Sequence, residues 1–245
     1  MRIKGWVAIA AIAAASIGCG VWAVRSSAPD TAAGEVHVAL VGASIGQDWN
    51  LAGWPARAHA ASFSAESLAV WEFDKSSAVD ELLLRPKRRF RFTRTYLKSL
   101  LAPPPRKPDV VILKECSSYF PGNLEAQRMA FRGWAERLSD AGTRVVLATV
   151  VPVTSTRAQA DAGKQAGLTE FNAWVREYAA SKQLPVLDLD AAMRSGAPGS
   201  NLRDEYTSGD GSHLNRAAYA VLDRALLDTL CNLKSDAACG RGGAT

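Results

Sequence analysis

The stretch VHVALVG, residues 36–42, decides the fold. It is a short run of strand-forming residues that ends at a glycine. Four further strand-like runs follow along the chain, at residues 68–73, 109–113, 144–151 and 184–189. Continuous apolar runs of this length are typical of strands that are buried on both faces, as in a parallel sheet. The pattern therefore predicts five buried strands, of which the first covers residues 36–41.

Helical patterns separate these runs. The clearest cover residues 123–141, 168–182 and 215–230, where aromatic and leucine side chains recur at helical spacing among charges. Strands that alternate with helices imply crossover connections and a parallel sheet. We therefore predict an α/β fold, a three-layer αβα sandwich around a five-stranded parallel sheet. A single domain would cover residues 35–232, and a C-terminal tail would cover residues 233–245.

Length and composition fit one full-sized domain. The chain has 245 residues, of which 48% are hydrophobic and 22% are charged, so a disordered chain or a coiled coil is excluded. Its 29 Lys and Arg against 24 Asp and Glu give a net charge of +5. That mild excess does not predict a nucleic-acid binder. Because there are only 3 histidines, we expect no metal site, and no motif implies an organic cofactor.

The first 25 residues are predicted to direct the chain to a membrane. A basic start precedes an uncharged, mostly apolar run at residues 5–24, which is the layout of a secretory signal and is just long enough to span a bilayer. Three interpretations stay open: a cleaved signal peptide, a retained anchor, or lipidation at Cys19. All three place the domain outside the cytoplasm, either anchored to the membrane or in the periplasm. The small, polar residues 26–34 are typical of a flexible linker.

In an oxidising compartment, Cys231 and Cys239 are candidates for a disulfide that closes the tail. Cys116 would then be unpaired, and we interpret it as a small buried apolar residue. Residues 85–94 hold six basic side chains. They are interpreted as a solvated loop face, with contact to anionic lipid or an acidic glycan as the alternative.

Two separate segments carry candidate chemistry. Ser44 lies between Gly42 and Gly46 where the first strand ends, and parallel sheets bind ligands beyond the carboxyl ends of their strands. Far along the chain, Asp210 precedes His213 by three residues on a glycine-rich turn before the last helix. That spacing lets the carboxylate reach one ring nitrogen and leaves the other free to take a proton from a serine. The alternative is that Asp210 and Ser212 cap the last helix.

Together these segments resemble the SGNH/GDSL hydrolase family, over most of residues 35–230. The early Gly-x-Ser paired with Asp-x-x-His before a final helix is the most specific part of the resemblance. Two further parts are the sequence FNAW at residues 171–174 and PVLD at residues 185–188. The resemblance implies a flavodoxin-like fold and the hydrolysis of esters or thioesters. It also implies that Ser44 is the nucleophile, His213 the general base and acid, and Asp210 the residue that orients the histidine.

The sequence departs from the family where the oxyanion hole is expected. Ala43 stands where the family usually has Asp, no glycine occurs between Trp54 and Pro121, and the stretch LKECSSYF at residues 113–120 replaces Gly-x-Asn-Asp. Losing one oxyanion donor typically costs about 3–4 kcal/mol of transition-state stabilisation. Four residues are candidates to contact the oxyanion or the substrate in place of the missing donors: Gly46, Glu115, Ser117 and Ser118. Backbone N–H groups of residues 93–101 are a further source.

Glu115 needs a partner, because a free carboxylate beside the oxyanion would repel it. Lys114, a basic residue of the loop that begins at Arg85, or a substrate hydroxyl would each serve. Trp49 and Trp54 follow the nucleophile and are interpreted either as core or as the lining of a pocket.

The resemblance implies an exported serine esterase that acts on a small-molecule or glycan ester and is held at the membrane through its N-terminal segment. Two alternatives remain: an envelope acyltransferase or deacetylase that acts on a polysaccharide, and a non-catalytic binding protein that keeps the fold. The oligomeric state is not predicted.

Overall fold

The computed structural model describes residues 35–69, 75–85, 105–161 and 163–234. Its centre is a five-stranded parallel sheet, in which the strands lie in the chain order second, first, third, fourth and fifth. The strands are β1 (Val36–Gly42), β2 (Phe63–Ala69), β3 (Val110–Lys114), β4 (Arg144–Ala148) and β5 (Val186–Leu187). The predicted α/β class and five-stranded parallel sheet are confirmed.

Eight α-helices lie in the described ranges. They are α1 (Ile45–Asp48), α2 (Trp54–Arg57), α3 (Lys75–Leu84), α4 (Leu124–Asp140), α5 (Ser155–Ala160), α6 (Lys164–Lys182), α7 (Leu189–Met193) and α8 (Arg216–Lys234). Three 3₁₀ turns join them, at Leu51–Gly53, Ser117–Tyr119 and Asp204–Tyr206. The three long helices predicted from the sequence correspond to α4, α6 and α8.

Side chains alternate across the strands and feed one core on each face of the sheet. On one face, Val38, Leu40 and Ile112 pack with residues of α1, α2, α7 and α8. On the other, Val41, Val111 and Leu113 pack with residues of α3, α4 and α6. The result is the predicted three-layer sandwich, in which the apolar stripe of each long helix is buried against the sheet.

One strand was predicted at the wrong place, and the five shorter helices, α1, α2, α3, α5 and α7, were not predicted. The second strand covers Phe63–Ala69 and not residues 68–73, of which residues 70–73 lie outside the described part. It pairs only with β1, so it is an edge strand. Its sequence, FSAESLA, mixes polar and apolar residues, as suits a strand that is only half buried. A search for continuous apolar runs therefore does not detect it. Helix α3 directly follows this region.

Several predictions fall on residues that the structure does not describe. These are the N-terminal segment 1–25 with Cys19, the linker 26–34, residues 86–94 of the basic loop, the backbone donors expected at residues 93–101, and the tail from residue 235. No helix in the described ranges has the length and apolar character to cross a bilayer. Cys116 is free and buried. Cys231 forms a disulfide, and because Cys239 lies outside the described residues, their pairing stays a prediction.

Candidate active site

The site lies beyond the carboxyl ends of β1 and β3. The chain leaves β1 toward β2 on one side, whereas β3 pairs with β1 on the other, so the strand order reverses there. A crevice opens at such a point in a parallel sheet. Ser44 follows β1 by two residues and Ser117 follows β3 by three, which brings two segments that are distant in sequence to one edge.

Ser44 has a strained backbone. Its φ of 54° and ψ of −107° lie in a region that non-glycine residues rarely adopt, at a cost of about 1–3 kcal/mol. The flanking glycines do not relieve the turn, because neither has a positive φ. They make room instead. A Cβ on Gly42 would lie 3.2 Å from Lys114 Cβ, and a Cβ on Gly46 would lie 3.0 Å from Leu40 Cδ2.

The structure brings Ser44, His213 and Asp210 into one hydrogen-bonded chain. Ser44 Oγ lies 2.7 Å from His213 Nε2, although 169 positions separate the two residues. The other ring nitrogen, Nδ1, lies 2.5 Å from Asp210 Oδ2. This is the order of contacts in which a carboxylate orients an imidazole and the imidazole receives a proton from a serine hydroxyl.

Asp210 accepts more than the ring contact. Its Oδ1 accepts the backbone N–H of Ser212 at 2.9 Å and that of His213 at 2.8 Å. Partial burial raises the pKa of the Asp210 carboxyl, but these hydrogen bonds and the His213 ring outweigh it and lower that pKa to about 2. The carboxylate is therefore ionised at all ordinary pH values and holds His213 by both its backbone and its ring.

The serine segment, residues 44–57, is anchored to α8 through Asp223. This buried carboxylate accepts Trp49 Nε1 at 2.8 Å and two guanidinium N–H groups of Arg57 at 2.8 and 2.9 Å. Its backbone carbonyl accepts Trp54 Nε1 at 3.1 Å. Trp49 and Trp54 are almost fully buried and do not line the cleft, so of the two interpretations the core assignment is correct.

The histidine loop, residues 207–214, is held by its own turns and by one neighbour. Thr207 Oγ1 accepts the N–H groups of Gly209 and Gly211, both at 3.1 Å. The Gly211 carbonyl accepts the N–H of Thr154 at 2.9 Å. Gly211 has a φ of 78°, and a Cβ there would lie 2.5 Å from Thr154 Oγ1. Only glycine fits this position without a shift of the loop.

A cleft of about 740 Å³ opens around the triad. Of the remaining predicted residues, Ser117 and Ser118 line it. Two cationic residues that were not predicted line it as well. Lys164 is buried and donates to the carbonyls of Ser117 and Phe120, at 3.4 and 2.9 Å, so it fixes the segment that follows β3. Arg157 is largely exposed, and its Cβ packs against Gly211.

Backbone N–H groups supply candidate oxyanion donors. Those of Ser44 and Ser117 donate to no acceptor among the described residues, and both residues line the cleft. Ser118 Oγ donates to Cys116 Sγ at 3.1 Å. Preorganised N–H groups of this kind stabilise the negative charge that develops on a carbonyl oxygen during attack.

Gly46 and Glu115 are not brought into the cleft lining. The Gly46 N–H already donates to the Ala43 carbonyl, at 3.2 Å. Glu115 is buried and forms a salt bridge with Lys75, so the expected pairing with Lys114 or the Arg85 loop is wrong. Lys114 instead donates to the backbone carbonyl of Glu115, at 2.8 Å. Because Lys75 begins α3, a helix that was not predicted, the sequence pattern gave no signal for this pair.

Comparison with known proteins identifies the family of this chain. The sequence pattern of the GDSL-like Lipase/Acylhydrolase family matches residues 31–221, well over half of the chain. The chain belongs to that family. No curated protein compared with it matches.

Solved structures of GDSL-like hydrolases share the fold. A GDSL-like lipase from Bacteroides thetaiotaomicron is 16% identical with a TM-score of 0.57, over 80% of this chain and 88% of that one. A lipase/acylhydrolase from Enterococcus faecalis is 18% identical with a TM-score of 0.59, over 81% and 96%. An acetyl xylan esterase, AlAXEase, is 12% identical with a TM-score of 0.56, over 79% and 98%. At these identities the likeness shows a shared fold and nothing more specific.

Proposed function

We propose that this protein is a serine hydrolase of carboxylic esters in which Ser44, His213 and Asp210 form the catalytic triad. The observation that carries the proposal is the continuous chain of contacts from Ser44 Oγ through the His213 ring to Asp210. A non-catalytic protein has no need to place a hydroxyl 2.7 Å from an oriented imidazole, nor to hold that serine in a strained conformation. Membership of a hydrolase family supports the same assignment.

The reaction follows from these positions. Ser44 Oγ bonds to the ester carbonyl carbon as its proton moves to His213 Nε2, and the carbonyl electron pair moves to the oxygen. N–H groups of Ser44 and Ser117 are the proposed donors to that oxyanion. The C–O bond to the alcohol then breaks, and His213 returns the proton to the leaving oxygen. Water repeats the sequence on the acyl-enzyme, which releases the acid and restores Ser44.

The position of Glu115 outside the cleft lining removes an electrostatic objection to this reaction. A carboxylate beside the oxyanion would oppose the developing charge, but Glu115 is paired with Lys75 on the far side of the segment that follows β3. Asp48 and Asp210 also line the cleft, and the positive charges there, on Arg157 and Lys164, act in the favourable direction. Lys164 is itself paired with Asp161, at 2.8 Å, so most of this effect would come from Arg157.

The proposal includes export and membrane attachment through residues 1–25, on the basis of the basic start and apolar run. It also includes a small-molecule or glycan ester as the substrate. The acetyl xylan esterase among the similar folds makes acetylated glycans reasonable first substrates to assay.

The test is a fluorophosphonate probe combined with hydrolysis of p-nitrophenyl acetate. The wild-type chain should be labelled and active, whereas Ser44→Ala should not be labelled and should lose roughly 10⁴- to 10⁶-fold in kcat. Ser139→Ala, an exposed serine at the end of α4, is the matched control and should behave as wild type. Absence of both labelling and turnover in folded wild-type protein would refute the assignment.

A further inference from the structure

A second cavity lies next to the catalytic cleft, and the segment that follows β3 contributes residues to both. It has a volume of about 360 Å³ and is lined by residues that include Lys75, Glu115, Tyr119, Gln127 and Trp134. We call these five residues the aromatic pocket. Its position is set by the segment that follows β3: Glu115 and Tyr119 line the pocket, whereas Ser117 between them lines the cleft. Ser117 is two residues from both, so its Cα is at most about 7 Å from either Cα.

The aromatic pocket contains a buried, electrically neutral pair. The side chains of Lys75 and Glu115 are each 3% exposed and form a salt bridge through Glu115 Oε2. Removing one charge from such a pair leaves the other uncompensated in a low-dielectric site, which is strongly unfavourable. For the same reason, a ligand with a net charge would disturb the pair. The pocket therefore favours a neutral ligand.

The aromatic pocket retains both hydrogen-bond acceptors and hydrogen-bond donors that a ligand could use. Glu115 Oε1 and Gln127 Oε1 accept no hydrogen bond within the described residues, and Gln127 Oε1 is buried. Lys75 has three N–H donors and uses one of them on Glu115. A buried acceptor without a donor is unfavourable unless a ligand or a water supplies one. Gln127 is held in place because its Nε2 donates to the Tyr119 carbonyl at 3.0 Å.

Two aromatic rings form part of the wall. Lys75 Nζ lies 4.5 Å from the centre of the Tyr119 ring and 5.7 Å from that of Trp134. Trp134 Nε1 donates to Ser76 Oγ at 3.0 Å, which fixes the indole on the rim of the pocket. A ring that is fixed in this way offers apolar contact area at little cost in conformational freedom.

We propose that the aromatic pocket binds a neutral saccharide unit of a glycan whose esterified neighbour occupies the catalytic cleft. Hydroxyl groups both donate and accept, so adjacent sugar hydroxyls match the ammonium, carboxylate and amide groups, and the C–H face of the sugar ring matches the aromatic wall. The short segment between the two sites would place consecutive sugar units on its two sides. The inference rests on the proposed function and narrows the substrate to a polymeric, neutral glycan ester.

The experiment uses the full chain with Ser44→Ala, so that binding is measured without turnover. Unesterified xylotetraose and chitotetraose are the probes, and affinity is measured by isothermal calorimetry. At least one of them should bind with a Kd tighter than about 10 mM. Gln127→Leu and Trp134→Leu, each added separately, should weaken that binding about tenfold or more. Met129→Ala changes an exposed residue of α4 outside the pocket lining, and it should leave the affinity unchanged.

The outcomes separate this inference from the proposed function. If neither probe binds at about 10 mM, or if folded Gln127→Leu and Trp134→Leu both bind as tightly as their parent, the saccharide site is refuted, while labelling of Ser44 in the wild type is unaffected. If a probe binds through Gln127 and Trp134 but wild-type protein is neither labelled nor active, the esterase assignment is refuted and the saccharide site stands. Thermal unfolding of each variant identifies any that has lost its fold.

Discussion

Ser44 is positioned by contacts with residues far along the chain, whereas His213 is positioned mainly by its own loop. The serine segment depends on Asp223, which lies 174 positions after Trp49 and is buried in α8. The histidine loop depends on Asp210, three positions before the ring it holds, and the side chains of Asp210 and His213 are 51% and 44% exposed. The serine segment is tied to the core through Asp223, whereas the histidine loop is a surface turn.

The difference predicts how each half fails. A buried polar group that loses its partner destabilises the whole domain, so damage to the serine segment should appear as lost stability. An exposed loop contributes little to global stability, so damage to the histidine loop should appear as lost activity in a protein that stays folded. The following variants test that contrast.

Gly211→Ala should give the largest effect, and the effect should be on activity. A Cβ at this position would lie 2.5 Å from Thr154 Oγ1 and 2.9 Å from Arg157 Cβ, so the histidine loop must move away from α5. A displacement of about 1 Å at a catalytic group can reduce the rate about 100-fold. We expect kcat/KM for p-nitrophenyl acetate to fall by about that factor, with the far-UV circular dichroism unchanged.

Gly142→Ala is the matched control for the backbone cost. Gly142 has a φ of 73°, close to that of Gly211, but a Cβ there meets nothing within 4 Å. It lies in the turn between α4 and β4. The control should lose about 1–2 kcal/mol of stability and keep its activity. Equal activity in the two variants would show that the contact with Thr154 does not position His213.

The contrast also explains what the sequence could predict. Asp210 and His213 were found because their partnership is local and their spacing is visible in the sequence. Ser44 was found from its place after the first strand, but its anchor through Trp49 and Asp223 has no local signal, and the two tryptophans were therefore left open between core and pocket. The parallel sheet follows from the alternation of strand-like and helical runs, whereas the half-buried β2 was predicted at the wrong place because its polar residues interrupt the apolar pattern.

The Lys75–Glu115 pair shows the same limit. Glu115 stood out as a carboxylate near the expected oxyanion site, yet its partner begins a helix that was not predicted. Lys75 and Glu115 are 40 positions apart, and they come into contact only when the chain is folded. No local sequence pattern marks such a pair. Sequence reasoning identified that a partner was needed, but Lys75 was not among the charged partners it considered.

Asp223→Ala should give the next effect, on stability. It leaves the Trp49 indole N–H, on a residue that is 1% exposed, without its acceptor, at about 1–3 kcal/mol. The side chain of Arg57 is 38% exposed and can be hydrated instead. We expect a loss of about 2 kcal/mol, which corresponds to a fall in Tm of about 4–8 °C for a domain of this size, and a fall in kcat/KM of less than about tenfold at 25 °C.

Two variants calibrate that measurement. Asp223→Asn keeps an acceptor for Trp49 and should lose less stability than Asp223→Ala. Asp228→Ala removes an exposed carboxylate from the same helix and should leave Tm nearly unchanged. A fall in Tm as large for Asp228→Ala as for Asp223→Ala would mean that the anchor of the serine segment contributes nothing specific.

The smallest effect concerns pH, and it tests how firmly the histidine loop is set. The pKa of Asp210 is lowered from its ordinary value of 3.8 to about 2. A carboxyl with a lowered pKa in the folded state contributes stability that is complete above its ordinary pKa and is lost as the pH falls through the lowered one. The Asp210 contact to His213 should therefore persist at pH 3 and disappear near pH 2, so any loss of activity above pH 3 must come from another group.

The ¹³Cγ shift of Asp210, followed by NMR, should titrate with a midpoint of about 2. His213→Ala removes the ring but keeps the backbone N–H groups, so its midpoint should lie between 2 and 3.8. A wild-type midpoint near 3.8 would mean that the loop leaves the carboxylate free and that His213 is oriented by something other than Asp210.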